Sequence, residues 1–461
     1  MSRPPNSRHS PLAAGWACGA VGSYRRRMPP DAERFSWVRT AVLWQARRDT
    51  QARVFGDPSL RRRPRWLALA RSRGVDPDLV VDRTDLAAPS FAVLGDTGEG
   101  DASQYAVVPP LLTVAGDTHF MLIASDVIYP AGAKDEYPAK FLRPYRDYAA
   151  PIFAVPGNHD WYDGLDGFMA CFCGLPAPLD GGRAPVQPAP YFVLDTGPLR
   201  IIGIDVGILG RLDAAQGAWL RRVAYDRDVP KLLVSGKPIY ANAAHDPLPI
   251  QGARTVDEIV RDPRARFVAA LAGDVHNYQR YPVDVGGRTV QYVVCGGGGA
   301  YTNETHSIPR VDLPGVTEDD VRLYPLRGDS LSYYSTRFQR WWRTASERVR
   351  RGGPEDVTLE PDVAARILAD RLGTEPVRPV TATVDDRALA AAERVFPTAG
   401  YRGWNRWFSQ YWDSDDPPLF KSFLRVDVDA STLRLRCFAA TGCAEHEVDP
   451  PVEDDLTIPL A

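Results

Sequence analysis

Residues 151–160 read PIFAVPGNHD, and the reading of this stretch decides the fold. A short apolar run ends abruptly in Gly157, Asn158, His159 and Asp160. So short and continuous a run suits a strand buried on both faces, and the glycine with three polar side chains marks its carboxyl end. The same texture recurs on either side, in FAVLGD (91–96), FMLIASD (120–126), RIIGIDV (200–206), KLLVSG (231–236), RFVAALAGDVH (266–276) and TVQYVVCGGGG (289–299). Helix-like segments separate several of these runs. The expectation is an α/β core, in which ligands collect beyond the carboxyl ends of strands.

Five strings concentrate the chemistry: GDTGEGD (95–101), SDVIYP (125–130), GNHD (157–160), AHDP (244–247) and GDVHNYQRY (273–281). A lone Asp after a strand is ordinarily a turn or cap residue. Here the chain has only seven His, and His159, His245 and His276 all fall inside these strings. The order and strand-end placement of the strings resemble the calcineurin-like metallophosphoesterases. Tyr129, three residues after Asp126, resembles the purple acid phosphatase branch.

That resemblance implies two packed β-sheets flanked by helices, a four-layer sandwich. It also implies hydrolysis of phosphate mono- or diesters at two metal ions, drawn from iron, manganese or zinc. Such a pair generates hydroxide at neutral pH and clamps the phosphoryl oxygens. By resemblance Asp126 bridges the ions, while Asp96, His276 and Tyr129 complete the first site. Asn158 binds the second ion, His159 protonates the leaving alkoxide or stabilises the transition state, and Asp160 holds the His159 ring.

Some positions depart from the family pattern. Gly98 stands where many members have His, and Ser125 replaces a Gly. Asp274 replaces the first His of the usual G-H-x-H string and would still bind the second ion, favouring harder metals. For the remaining ligand of that ion two alternatives stay open: His245, which has the local H-x-P form, and Lys237, which follows KLLVSG in the usual slot. His306 is a spare candidate. The Gly296–Gly299 run lacks the G-K-[ST] of a P-loop, so tight packing at a turn is expected before phosphate contact.

The organisation divides at residues 1–88, 89–304, 305–418 and 419–461. Residues 1–30 read as a disordered leader, with Met28 an alternative start, and residues 31–74 as one or two helices. The third segment reads as a helical, aromatic-rich insertion or cap, with helices near 337–352, 360–372 and 384–396. Its aromatics (Tyr334, Phe338, Trp341 and Trp342, then Trp404, Trp407, Phe408 and Tyr411) are expected in core packing. KSFLRVDVD (421–429) and TLRLRCFAA (432–440) flank Ala430-Ser431 as a hairpin returning to the main sheets.

The net charge of −3 argues against nucleic acid or anionic membranes as partners and leaves a small phosphorylated substrate. No stretch reaches the ~20 apolar residues of a spanning helix. Six sparse cysteines suggest buried free thiols in a reducing compartment, and a cytoplasmic location is the default expectation. Two rival readings are a metal-binding protein of the same fold with lost catalysis, and a nuclease or nucleotide phosphodiesterase. Oligomeric state leaves no trace in the sequence.

Overall fold

The computed structural model describes residues 16, 18–30, 32, 35–252, 254–349, 358–395, 409 and 416–460, the side chains of 341–349 excepted. Strands Ser90–Leu94, Phe120–Ala124 and Ile152–Val155 lie side by side and parallel, with Phe91 opposite Phe120 and Met121 opposite Ile152. Lys421–Val428 joins them antiparallel, with Val426 opposite Phe91, and Thr432–Ala440 and Val452–Pro459 complete a six-stranded sheet. The hairpin expected at Ala430-Ser431 therefore forms. The Asp429 carboxylate fastens its turn by accepting from the backbone N–H of Ser431 and Thr432. Beyond it, the expected tail is a further strand.

The second sheet has eight strands, in the order 80–83, 192–196, 200–204, 231–235, 267–272, 288–295, 278–285 and 322–324. Strands 80–83 and 192–196 went unread in the sequence because short, partly polar runs give little periodic signal. Alternation of side chains turns Phe91 and Val93 into the core between the sheets, together with Ile201, Leu232, Val234, Ala269 and Val293. Phe153 of one sheet meets Phe192 of the other at 5.6 Å between ring centres. Ala92 and Leu94 turn outward under helix Ala102–Ala115, and Ile202, Leu233 and Ala270 under helix Ala214–Tyr225. Burying each large side chain contributes about 1.5–3 kcal/mol, which fixes the register of both faces. The result is the expected pair of packed sheets flanked by helices.

The first segment differs from expectation. Four short helices form, at Tyr24–Arg27, Thr40–Ala46, Arg48–Phe55 and Ser59–Ser72, and Phe35 and Val38 precede the second. Residues 18–30, read as disordered, are built into the molecule. Tyr24 is fully buried beside Tyr105 and Leu419, and Val21 bridges to Cys443. Cys18 and Cys443 form a disulfide with a Cα–Cα distance of 5.4 Å, which corrects the expectation of free thiols for those two. Cys171, Cys173, Cys295 and Cys437 are free, Cys173 only partly buried. Partners separated by 425 residues leave no local pattern, which is why the sequence did not announce the pairing.

In the third segment the long helix is Arg327–Val349, beginning earlier than expected, and Pro361–Leu372 and Asp386–Val395 follow. Leu331, Tyr334, Ile367, Leu368 and Ala391 pack these helices together, with Phe338 against them. The side chains of Trp341 and Trp342, and residues Trp404, Trp407, Phe408 and Tyr411, lie outside what is described. Among the described residues no helix is long and apolar enough to cross a membrane.

Candidate metal centre

The motif residues sit where the strands stop. Asp96 follows strand Ser90–Leu94, Asp126 follows Phe120–Ala124, Asn158 and His159 follow Ile152–Val155, and Asp274 follows Phe267–Ala272. Asp96, Ser125 and Asp274 have φ of 58°, 121° and 68°, and Asp126 lies at 20°. Left-handed backbone at non-glycine residues is costly, and several such residues at adjoining strand ends turn their carboxylates toward one place.

The Tyr129 hydroxyl stands at the centre of that place. It lies 3.0 Å from Asp96 Oδ1, 3.2 Å from Asp126 Oδ2 and 3.1 Å from His276 Nε2. Neighbouring ligands on one octahedral ion with bonds of about 2.1 Å are about 3 Å apart, so these spacings suit donors sharing an ion. The His276 Nδ1 donates to the Tyr301 carbonyl at 2.8 Å. A carbonyl only accepts, so Nδ1 carries the hydrogen and the Nε2 lone pair faces the cluster. Asn158 donates through Nδ2 to Tyr162 at 2.9 Å, which leaves its buried Oδ1 without a hydrogen-bond partner. Space for the cluster depends on glycine: a Cβ on Gly157 would collide with the Asp126 carboxylate, and one on Gly296 with Asp96 Oδ2. Gly296 thus serves close packing, as expected.

Electrostatics favour a cation. Asp96 is fully buried, and Asp126 nearly so. Burial, then the charges of Asp126 and Asp274, hold the Asp96 carboxyl well above its ordinary range. Burial also raises Asp126. Burial and the two carboxylates push the Tyr129 phenol far up, so it keeps its proton unless a cation arrives. Packed like charges, an oxygen without a partner and a mixed oxygen and imidazole donor set together fit a metal ion.

His159 adjoins the cluster. Its backbone N–H donates to Asp126 Oδ1 at 2.8 Å, and its ring Nδ1 donates to the Pro130 carbonyl at 2.7 Å. The family resemblance implied Asp160 as the residue that holds that ring. Instead, the buried Asp160 carboxylate accepts from the backbone N–H of Val127 and Gly157, at 3.1 and 3.0 Å, and ties two motif loops together.

The two alternatives for the second site separate clearly. Lys237 Nζ donates to Asp274 Oδ1 at 2.6 Å. Burial would lower that ammonium, but Asp274 and Asp126 more than offset it and its pKa is raised. His245 lies elsewhere, on the exposed strand Ala244–His245; its Nε2 pairs with Asp257 at 2.8 Å and its ring stacks on Tyr240. His306 is buried against Ser330 and Tyr334.

Sequence reasoning missed three neighbours. Trp37, only 3% exposed, packs edge-on against Tyr129, His159 and Tyr301 at 5.1, 5.5 and 5.2 Å between ring centres. Its indole N–H donates to Glu99 Oε1 at 2.5 Å, and the Tyr301 N–H donates to the same oxygen at 3.1 Å. Glu99 lies within GDTGEGD and was legible as a motif residue; nothing local marks Trp37 or Tyr301.

Residues 89–278 match the family model described as calcineurin-like phosphoesterase. No curated protein matches the chain. Among solved structures, the chain is similar to a purple acid phosphatase from yellow lupin (Lupinus luteus) seeds, at 12% identity and a TM-score of 0.43, over 82% of this chain and 55% of that one. The chain thus spans about half the length of the lupin protein. It is also similar to GAP50, the anchor in the inner membrane complex of Plasmodium, at 9% identity and a TM-score of 0.41, over 81% of this chain and 90% of that one. For PhoD the values are 9%, 0.33, 77% and 66%.

Proposed function

We propose, from the premise that residues 89–278 belong to the calcineurin-like phosphoesterase family, that this chain hydrolyses phosphoric esters at a metal centre held by Asp96, Asp126, Tyr129 and His276. The observation that carries the reading is the convergence of Asp96, Asp126 and His276 on the Tyr129 hydroxyl within 3.2 Å. An ion there would neutralise phosphoryl oxygens and make water acidic enough to attack at neutral pH.

The protein's own groups supply the rest. Lys237, held by Asp274, places an ammonium on the side where the sequence pattern expects a second ion. We assign it to balancing Asp274 and Asp126, so that a single ion is held tightly. A second reading, favoured by the unpartnered Asn158 Oδ1, seats another ion on Asn158, Asp126 and Asp274, and requires Lys237 to leave Asp274. His159 is the proton donor. It gives up the Nε2 proton and is left as the Nδ1–H tautomer, the form that the Pro130 carbonyl accepts from. Asp160 acts on the loops around the centre.

The substrate is a small phosphate monoester or diester. Iron, manganese or zinc all suit these donors; ferric iron would give a charge-transfer colour that Tyr129→Phe abolishes. The Cys18–Cys443 disulfide favours an oxidising compartment over the cytoplasmic location expected from the sequence. The test is hydrolysis of an aryl phosphate monoester and diester, before chelation, after it and after metal is returned. Activity that is lost and regained supports the reading, and activity indifferent to chelation refutes it.

A further inference from the structure

A second candidate site, an arginine-rimmed cavity, lies in the segment that the sequence offered only as a lead-in. Helices Arg48–Phe55 and Ser59–Ser72 meet beside the loop that follows the GNHD string. Between them opens a cavity of about 490 Å³ lined by Arg47, Arg48, Gln51, Arg61, Arg62 and Trp161, among others, and no carboxylate lines it. Arg48, Arg61 and Arg62 are exposed and make no ion pair among the described residues. By contrast the adjacent Arg63 is buried and neutralised, by Asp205 at 2.7 Å and Asp213 at 2.6 Å. So this chain pairs an arginine where the fold needs one paired and leaves its neighbours open.

The charge of Arg48, Arg61 and Arg62 is what the cavity lining leaves unpaired. Both helices begin here, and a helix start carries partial positive charge that prefers acidic side chains. Asp57 caps helix Ser59–Ser72 by accepting from the Ser59 N–H at 2.9 Å, and Asp49 stands in the first turn of helix Arg48–Phe55, so both starts are already served by carboxylates; Arg61 and Arg62 add charge that neither of them pairs. The Arg47 guanidinium is held over the Trp44 ring and donates to the Trp44 carbonyl at 2.6 Å, while Arg48, Arg61 and Arg62 bring three like charges to the hollow, and an anion among them would relieve their repulsion. Arginine is also the side chain best matched to phosphate, through its planar pair of N–H donors. The floor is firm: Trp161 donates through its indole N–H to Asp205 at 2.9 Å, and Asp205 also holds Arg63.

We infer that this cavity binds a small phosphoanion with at least two negative charges, through Arg48, Arg61 and Arg62. Its arginines are distinct from the residues of the metal centre, and the inference does not depend on the phosphoesterase reading. Trp161 lies two residues beyond His159, so the two sites share the GNHD loop as a wall.

Calorimetric titration of the metal-loaded full chain with methylenebisphosphonate, which is not hydrolysed, tests it at constant ionic strength. Arg48→Gln, and separately Arg61→Gln with Arg62→Gln, should each weaken binding by about tenfold or more, because each variant removes charge-assisted hydrogen bonds. Arg65→Gln with Arg71→Gln, exposed on the same helix but outside the cavity, should leave it unchanged. These side chains are on the surface, so the fold is retained, and the thermal midpoint checks it. Binding unaltered in both cavity variants but lost in Asp126→Asn would place the bisphosphonate at the metal centre and overturn the inference. Hydrolysis of an aryl phosphate by the same variants reads the phosphoesterase separately.

Discussion

His159 and Trp37 illustrate how single residues share the work at the centre. Because the Pro130 carbonyl fixes the His159 ring, His159→Ala should keep its metal and lose turnover by about 10²–10⁴-fold. The loss should shrink for aryl phosphates with acidic leaving groups, which need less protonation; equal losses across a leaving-group series, or loss of metal, would remove the proton-transfer role. Trp37 walls the same ring and bridges to Glu99. Trp37→Ala should cost about 3–5 kcal/mol in denaturant unfolding, the usual range for a buried tryptophan. Asp96, Asp126, Asn158, His159 and His276 were legible because polar residues at the ends of buried strands are chemically conspicuous. Trp37 was not, since its neighbours come from distant segments. The contest between His245 and Lys237 had no sequence answer either: it turns on where residues 240–245 fold, and the two short strands there carry His245 away to Asp257.

At the scale of elements, the strand ends set the site, and the helices of the third segment pack on one another around Leu331, Tyr334 and Ile367. Strands were readable from their runs, whereas helix limits were displaced because Arg327–Val349 begins in a polar stretch with little periodic signal. His306 belongs to this interface. Burial, helped by the charge of Arg327, lowers its pKa from 6.5 to about 3, so it stays neutral in the fold. Between about pH 3 and 6.5 the unfolded chain therefore binds more protons than the folded one, and stability rises with pH across that window. The contribution is complete above pH 6.5 and is lost as pH falls toward 3. His306→Gln, which can still meet Ser330, should flatten this fall by up to a few kcal/mol. Denaturant melts at pH 4 and pH 7 check it: an unchanged difference between them would show that His306 does not titrate on unfolding.

For the whole molecule, the two ends of the chain close on each other. Residues 18–24 pair with the turn around Cys443, and the last three strands complete the sheet that carries Asp96 and Asp126. Chain closed in an oxidising setting should show four titratable thiols when unfolded without reductant, and all six of its cysteines after reduction. Cys18→Ser should cost about 2–5 kcal/mol, as for other native disulfides. Six thiols before reduction would remove the closure. The paired sheets were legible because buried strands and their polar ends repeat along the chain. The closure was not, because it depends on contacts between opposite ends. The same distant packing puts Lys237 against Asp274, where the family pattern expects room for a second ion. Elemental analysis of metal per chain tests that arrangement most directly, in the purified protein beside its His276→Ala variant. One tightly held ion, lost in the variant, is the predicted result; two ions in the unaltered protein, or a metal content indifferent to His276, would contradict it.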